Sequence, residues 1–237
     1  MGIRIKEHIP NAVTCCNLIS GCMATGAAFQ GSYAWAFVLI IIGAVFDFFD
    51  GMTARLLCVS SPIGRELDSL ADVVTFGVAP SAMLFRMFHN VVYPSFLLPF
   101  APYMPYTAFL LAAFSALRLA KFNTDERQSH QFIGLPTPAN TLFWASLIVG
   151  YRAFWVSPHF NALFLFLLML LSCYLMVSPV PMLALKFQNF SWRDNKIKYL
   201  FLITSAFMVF VLGISSFAPI VVWYVILSQL AFRFRPR

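Results

Sequence analysis

The sequence predicts an all-α protein, a polytopic membrane bundle of about eight transmembrane helices, and three observations lead there. Only 11% of the 237 residues are charged while 60% are hydrophobic, against about 25% charged in an ordinary soluble domain. Apolar stretches of about 20 residues, enough to cross a bilayer core, recur along the whole chain. The sixteen basic residues collect in alternate gaps between those stretches, the bias that orients membrane proteins. A chain with so few charges cannot clothe a water-soluble globule. That excludes an ordinary soluble enzyme, a disordered chain and a nucleic-acid partner; the net charge of +7 suits short basic clusters facing a cytoplasmic leaflet.

The predicted spans are Val13–Gln30, Tyr33–Ala54, Glu66–Phe85, Pro102–Leu119, Thr137–Val156, Ala162–Val180, Tyr199–Ile214 and Ala218–Phe232. The last two are short, about 199–232 together, and stand as additional C-terminal helices beside a six-helix core. Val91–Ala101 is apolar but interrupted by Pro94 and Pro99, and reads as an interfacial loop. Eight spans place Arg4, Lys6, Arg55, Arg65, Arg118, Lys121, Arg127, Lys186, Arg193, Lys196, Lys198, Arg233, Arg235 and Arg237 on one side, and only Arg86 and Arg152 on the other. Both termini are therefore expected in the cytoplasm, with the polar start MGIRIKEHIPN retained there; charge alone fits six spans as well as eight. No repeat or linker divides the chain, so 1–237 reads as one domain. The cysteines, Cys15, Cys16, Cys22, Cys58 and Cys173, lack metal spacing and read as small packing residues.

The acids break this pattern. Of nine, five fall between Asp47 and Asp72. A carboxylate inside a membrane helix costs about 2.5–3.5 kcal/mol even on the lenient insertion scale, so its default reading is functional. Asp47 and Asp50 are three apart and share a helix face with Gly43, Gly51 and Ala54; Gly64, Asp68 and Asp72 repeat every four. The short Arg55–Arg65 connection makes these helices antiparallel neighbours, a catalytic hairpin at about 43–76, with four carboxylates converging. Like charges so close need cations or protons, and hard oxygen donors without His or Cys select Mg²⁺ or Mn²⁺ over zinc. Glu66 is set aside as a first-turn acid favourable to the helix dipole.

The run DFFDGMTARLLCVSSPIGRELDSLAD reads D-x-x-D-G-x-x-A-R, eight residues, then G-x-x-x-D-x-x-x-D. It resembles the signature of the CDP-alcohol phosphotransferase family at every fixed position: Asp47, Asp50, Gly51, Ala54, Arg55, Gly64, Asp68 and Asp72. IPNAVTCCNLISG, SALRLAKFN (Ser115–Asn123), GLPTPAN (Gly134–Asn140) and LMVSPVPMLALK (Leu175–Lys186) resemble that family's integral, bacterial-type phosphatidylserine synthases.

The resemblance implies an enzyme of the bacterial inner membrane, its site facing the cytoplasm, that moves a phosphatidyl group from CDP-diacylglycerol to L-serine and releases CMP. It implies a homodimer surrounded by membrane lipids. Asp47, Asp50, Asp68 and also Asp72 would hold two divalent cations, with Asp72 as general base. Gly51, Ala54, Arg55 and Gly64, with Pro10, Asn11 and Thr14, would receive nucleotide and phosphates; helix capping accounts for Pro10, Asn11 and Thr14 nearly as well. Arg118, Lys121 and Asn123 are the candidates for gripping serine. Lys121 stands where Arg is expected and cannot offer a bidentate fork.

The alternatives are the same chemistry with glycerol 3-phosphate, inositol phosphate or choline as acceptor, an intramembrane prenyltransferase, and a cation or proton carrier. A phosphorylated acceptor calls for extra basic residues, a prenyltransferase for two distant acidic pairs, and a carrier needs no D-G-x-x-A-R arrangement.

Overall fold

Every predicted span is occupied by helix. The computed structural model describes residues 5–59, 61–124, 132–158, 160–183 and 191–233. The helices are α1 (Ile5–Phe29), α2 (Tyr33–Leu56), α3 (Pro62–Asp72), α4 (Ala79–Phe88), α5 (Leu110–Thr124), α6 (Thr137–Gly150), the single turn α7 (Arg152–Trp155), α8 (Ala162–Val177), α9 (Trp192–Leu212) and α10 (Phe217–Arg233). A π-helical segment, Val73–Val78, joins α3 to α4 without a break, and 3₁₀ turns fill Ser95–Phe100 and Met104–Phe109. Two short strands, β1 (Phe132–Ile133) and β2 (Pro181–Met182), pair antiparallel with Phe132 opposite Met182. Arg4, Arg127, Lys186, Arg235 and Arg237 lie outside the described residues, as do the side chains of Arg193 and Arg233 and the end of the Leu175–Lys186 stretch.

Among the described residues, four stretches are long and apolar enough to cross a membrane: His8–Phe29, Tyr33–Leu56, Pro62–Phe88 and Asn195–Phe232; Ala162–Val177 is shorter. Asn195–Phe232 is a hairpin and not one rod. It reverses at Gly213, whose φ of +55° suits glycine, and Trp223 Nε1 donates back to Thr204 Oγ1 at 3.0 Å. The protein is thus an all-α polytopic membrane protein.

Several boundaries move for local reasons. α3 starts at Pro62 and not Glu66: Ser61 is extended, its Oγ accepts from the Gly64 N–H at 3.0 Å, and proline fills the first helical position, a strong start signal. α1 starts at Ile5, upstream of Val13, and carries Pro10 within it. The stretch after Pro102 opens as 3₁₀ over Met104–Phe109, with Pro105 in it, before α5 begins.

The core lies where α1, α2, α4, α6 and α8 meet. Ala24, Ala28 and Ala36 are fully buried and let backbones approach; Trp144 is fully buried with Nε1 donating to Ser172 Oγ at 3.0 Å. Large apolar side chains also face outward, Phe210 at 89% exposure, as a lipid surround requires. The cysteine expectation holds only for Cys173, which is buried; the other four are exposed. Hydropathy scores a lipid-facing thiol and a packed one alike.

Candidate active site

Three helix ends build the site. α1 runs antiparallel to α2, and α3 leaves the same end after a short turn, so the start of α1, the end of α2 and all of α3 face one another. Asp47 and Asp50, one turn apart, enter from α2. Asp50 is buried, and its Oδ2 accepts from Thr14 Oγ1 at 2.6 Å. The same hydroxyl is 3.0 Å from the Pro10 carbonyl; it has a single proton, and the short contact to the charged acceptor is the stronger bond.

Asp68 and Asp72 enter from α3, one turn apart. Oxygens of Asp47, Asp50 and Asp68 all lie within 4.8 Å of one another. Asp47 is also within hydrogen-bonding reach of both Asp68 and Asp72, so all four carboxylates form one cluster. Asp68 Oδ1 is buried with no partner. Crowded anions with a desolvated, unpaired oxygen are an arrangement that a hard divalent cation stabilises, so the donor set fits Mg²⁺ or Mn²⁺.

Asp72 is held differently. Asn17 Nδ2 donates to its Oδ1 at 3.3 Å, and Thr75 Oγ1 donates to Asn17 Oδ1 at 2.8 Å. Thr75 also lies 3.1 Å from the Asn17 carbonyl. Asn17 and Thr75 are fully buried, and both are absent from the residues predicted for the site. Their signal was present: Asn17 interrupts an apolar stretch one turn after Thr14. The π segment begins immediately after Asp72, a local widening common at functional sites, and places Thr75 between α1 and α2. Glycines make room for it. A Cβ on Gly21 would collide with Thr75 Oγ1, and one on Gly43 would sit 2.7 Å from Thr75 Cγ2 and 3.0 Å from Asn17 Oδ1.

Beside the carboxylates lies a cavity of about 240 Å³. Six of the predicted nucleotide residues line it, Pro10, Asn11, Thr14, Gly51, Ala54 and Gly64, together with Asp50 and Asp68. α1 begins upstream at Ile5, so Pro10, Asn11 and Thr14 are not capping residues here. A Cβ on Gly51 would meet nothing within 4 Å, whereas one on Gly64 would lie 2.9 Å from Asn11 Oδ1 and 3.0 Å from Ser61 Oγ. Arg65 lines the cavity; Arg55, exposed in the last turn of α2, does not. One residue past Ala54 turns the side chain about 100° round the helix.

The three acceptor candidates separate. Arg118 is buried at 6% exposure; its Nε donates to the Leu135 carbonyl at 3.1 Å, its guanidinium lies 5.3 Å over the Phe122 ring, and its Nη2 has no hydrogen-bond partner among the described residues. Lys121 and Asn123 are exposed at the end of α5, with Lys121 Nζ 3.5 Å from the Val177 carbonyl and Asn123 Nδ2 donating to Ser69 Oγ at 2.8 Å. Buried Thr137 Oγ1 and both amide atoms of Asn140, in the first turn of α6, are also unpaired.

Residues 7–178 match the CDP-alcohol phosphatidyltransferase family. The chain belongs to that family and is an integral-membrane transferase. It is similar to the CDP-diacylglycerol–serine O-phosphatidyltransferase of Bacillus subtilis, 39% identical over 132 residues, covering 56% of this chain and 70% of the relative. The enzyme of the same name from Helicobacter pylori is 33% identical over 175 residues, covering 72% of this chain and 70% of the relative. That from Methanocaldococcus jannaschii is 35% identical over 149 residues, 63% of this chain and 62% of the relative.

Proposed function

We propose that the protein transfers the phosphatidyl group of CDP-diacylglycerol to the hydroxyl of L-serine, giving phosphatidylserine and CMP. The observation that carries this reading is the convergence of Asp47, Asp50 and Asp68 within 4.8 Å, beside a cavity lined by the small residues of the same signature.

Asp47, Asp50 and Asp68, with Asp72 at their edge, would hold two divalent cations. When bound, such cations neutralise charge on the pyrophosphate and on departing CMP. The open face at Gly51 and Ala54 admits the nucleotide and phosphates close to the α2 backbone, and Arg65 supplies positive charge at the cavity wall. Asp72 takes the serine proton as the hydroxyl oxygen bonds to the phosphorus that carries the lipid; the bond from that phosphorus to the CMP oxygen breaks, and its electron pair leaves with CMP. Asn17 and Thr75 orient Asp72 for this. Arg118, with an unpaired Nη2 on a buried guanidinium, is suited to the serine carboxylate.

The charge distribution supports eight spans with both termini and the aspartates on the cytoplasmic side of a bacterial inner membrane, and the family resemblance supports a homodimer. The deciding experiment incubates membranes with labelled CDP-diacylglycerol and each acceptor in turn. Serine is expected to give lipid product and CMP. Product from glycerol 3-phosphate but none from serine would overturn the acceptor assignment.

A further inference from the structure

At the end of the bundle away from the aspartates, two arginines have no carboxylate partner among the described residues. Arg86 lies near the end of α4 and Arg152 opens α7, and both guanidiniums are within electrostatic reach of Tyr33. Tyr33 starts α2, fourteen residues before Asp47, about 21 Å along the helix. The described carboxylates, those of Asp47, Asp50, Glu66, Asp68 and Asp72, all belong to the other end.

Arg152 lines a cavity of about 400 Å³ together with Gly31, Ser32, Tyr33 and Trp35 among others. Arg86 reaches its rim: Nη2 is 3.6 Å from where a Cβ on Gly31 would sit. Its Nε is buried and has no hydrogen-bond partner. A half-buried guanidinium with no counter-charge among the described residues is costly, and an anion held in this cavity, within reach of the exposed Arg152, offsets that cost for Arg86. The start of α2 adds to this, because Ser32 makes no side-chain capping bond and the first-turn N–H groups of a helix have no partner within it.

The surroundings say what carries the anion. Trp35 is 55% exposed, and Val38, Ile42 and Val45 continue from it as exposed apolar residues at helical spacing, a track along α2 leading from the cavity toward the bilayer middle. We infer that this cavity binds the phosphate of an anionic phospholipid between Arg86 and Arg152, with an acyl chain lying along the Trp35–Val45 track. It is a lipid site separate from the transferase centre, and it does not depend on which acceptor that centre uses.

The test uses purified full-length protein in detergent, titrated with short-chain phosphatidylglycerol, short-chain phosphatidylcholine or inorganic phosphate. Binding is read as lipid adducts by native mass spectrometry and as a shift in melting midpoint. Phosphatidylglycerol is expected to bind about tenfold or more tightly than phosphatidylcholine, and Arg152→Gln to remove about that factor, as loss of a charge-assisted hydrogen bond implies. Arg86→Gln with Arg152→Gln should abolish the preference. Arg152 is exposed, so its single variant should fold and decides the matter if the double variant does not. Equal binding of the two lipids, or an unchanged preference in Arg152→Gln, overturns the inference. A stabilisation by inorganic phosphate equal to that by lipid would make this a free-anion site and overturn the lipid assignment.

Discussion

Replacing Thr75 by Val tests the least anticipated part of the site. The Thr75 hydroxyl donates to Asn17 Oδ1 at 2.8 Å, and Asn17 Nδ2 donates to Asp72 Oδ1 at 3.3 Å. Thr75 and Asn17 are fully buried, so no water replaces a lost donor. Valine keeps the branched shape and removes the proton. If Asn17 stays in place, its Oδ1 is buried and unpaired, costing about 1–3 kcal/mol of stability. If its amide swings away instead, Asp72 loses a hydrogen bond to a charged group, worth about 1.5–3 kcal/mol. At 1.36 kcal/mol per factor of ten, that is about a 10- to 150-fold loss of turnover. Valine also puts a methyl where the hydroxyl already crowds Gly21, so Thr75→Ala serves as the uncrowded control and Thr75→Ser as the rescue. The assay is CMP release from CDP-diacylglycerol with saturating serine, alongside the melting midpoint of each variant. Valine and alanine variants with wild-type turnover and wild-type melting would refute the view that Asn17 and Thr75 position Asp72.

Asp72→Asn should lower turnover by about 10²–10⁴, the usual contribution of a general base, while nucleotide and cation binding, read by calorimetry, persist; an active variant sinks the base assignment. Gly51→Ala should stabilise α2 by about 0.5–1 kcal/mol, since its Cβ meets nothing within 4 Å, yet raise the KM for CDP-diacylglycerol because that Cβ enters the cavity. Full activity with normal KM would mean that this face takes no ligand. Gly43→Ala should do the reverse and destabilise by about 1–3 kcal/mol, given contacts at 2.7 and 3.0 Å, detected as a lower melting midpoint. Chelation of divalent ions should stop CMP release, with Mg²⁺ or Mn²⁺ restoring it; turnover in chelator would remove the cation role of Asp47, Asp50 and Asp68.

What the sequence determined by itself was whatever depends on local chemistry. Scarcity of charge forced membrane helices because unpaired polar backbone cannot sit in lipid. The spacing of Asp47, Asp50, Asp68 and Asp72 put carboxylates on two helix faces because 3.6 residues make a turn. The short connection brought those carboxylates together, but α2 and α3 are not the packed neighbours it suggests, since both pack against α1. Ser61 and Pro62 also spell out the start of α3, a local capping signal to which the hydropathy boundary at Glu66 is blind.

Only the tertiary structure decided which polar side chains share an environment. The Asn17–Thr75 link joins residues 58 apart in sequence, and it exists because a π segment and two glycines bring three helices together. Arg65 rather than Arg55 reaches the cavity, and Arg118 is buried while Lys121 and Asn123 are exposed. Helix periodicity fixes angles around one axis, whereas burial depends on which neighbouring helix closes over a given face. The same limit hid that Arg86 and Arg152 come near one residue: in sequence they are the two exceptions to a charge rule, and in the fold both act on Tyr33 at the wall of one cavity.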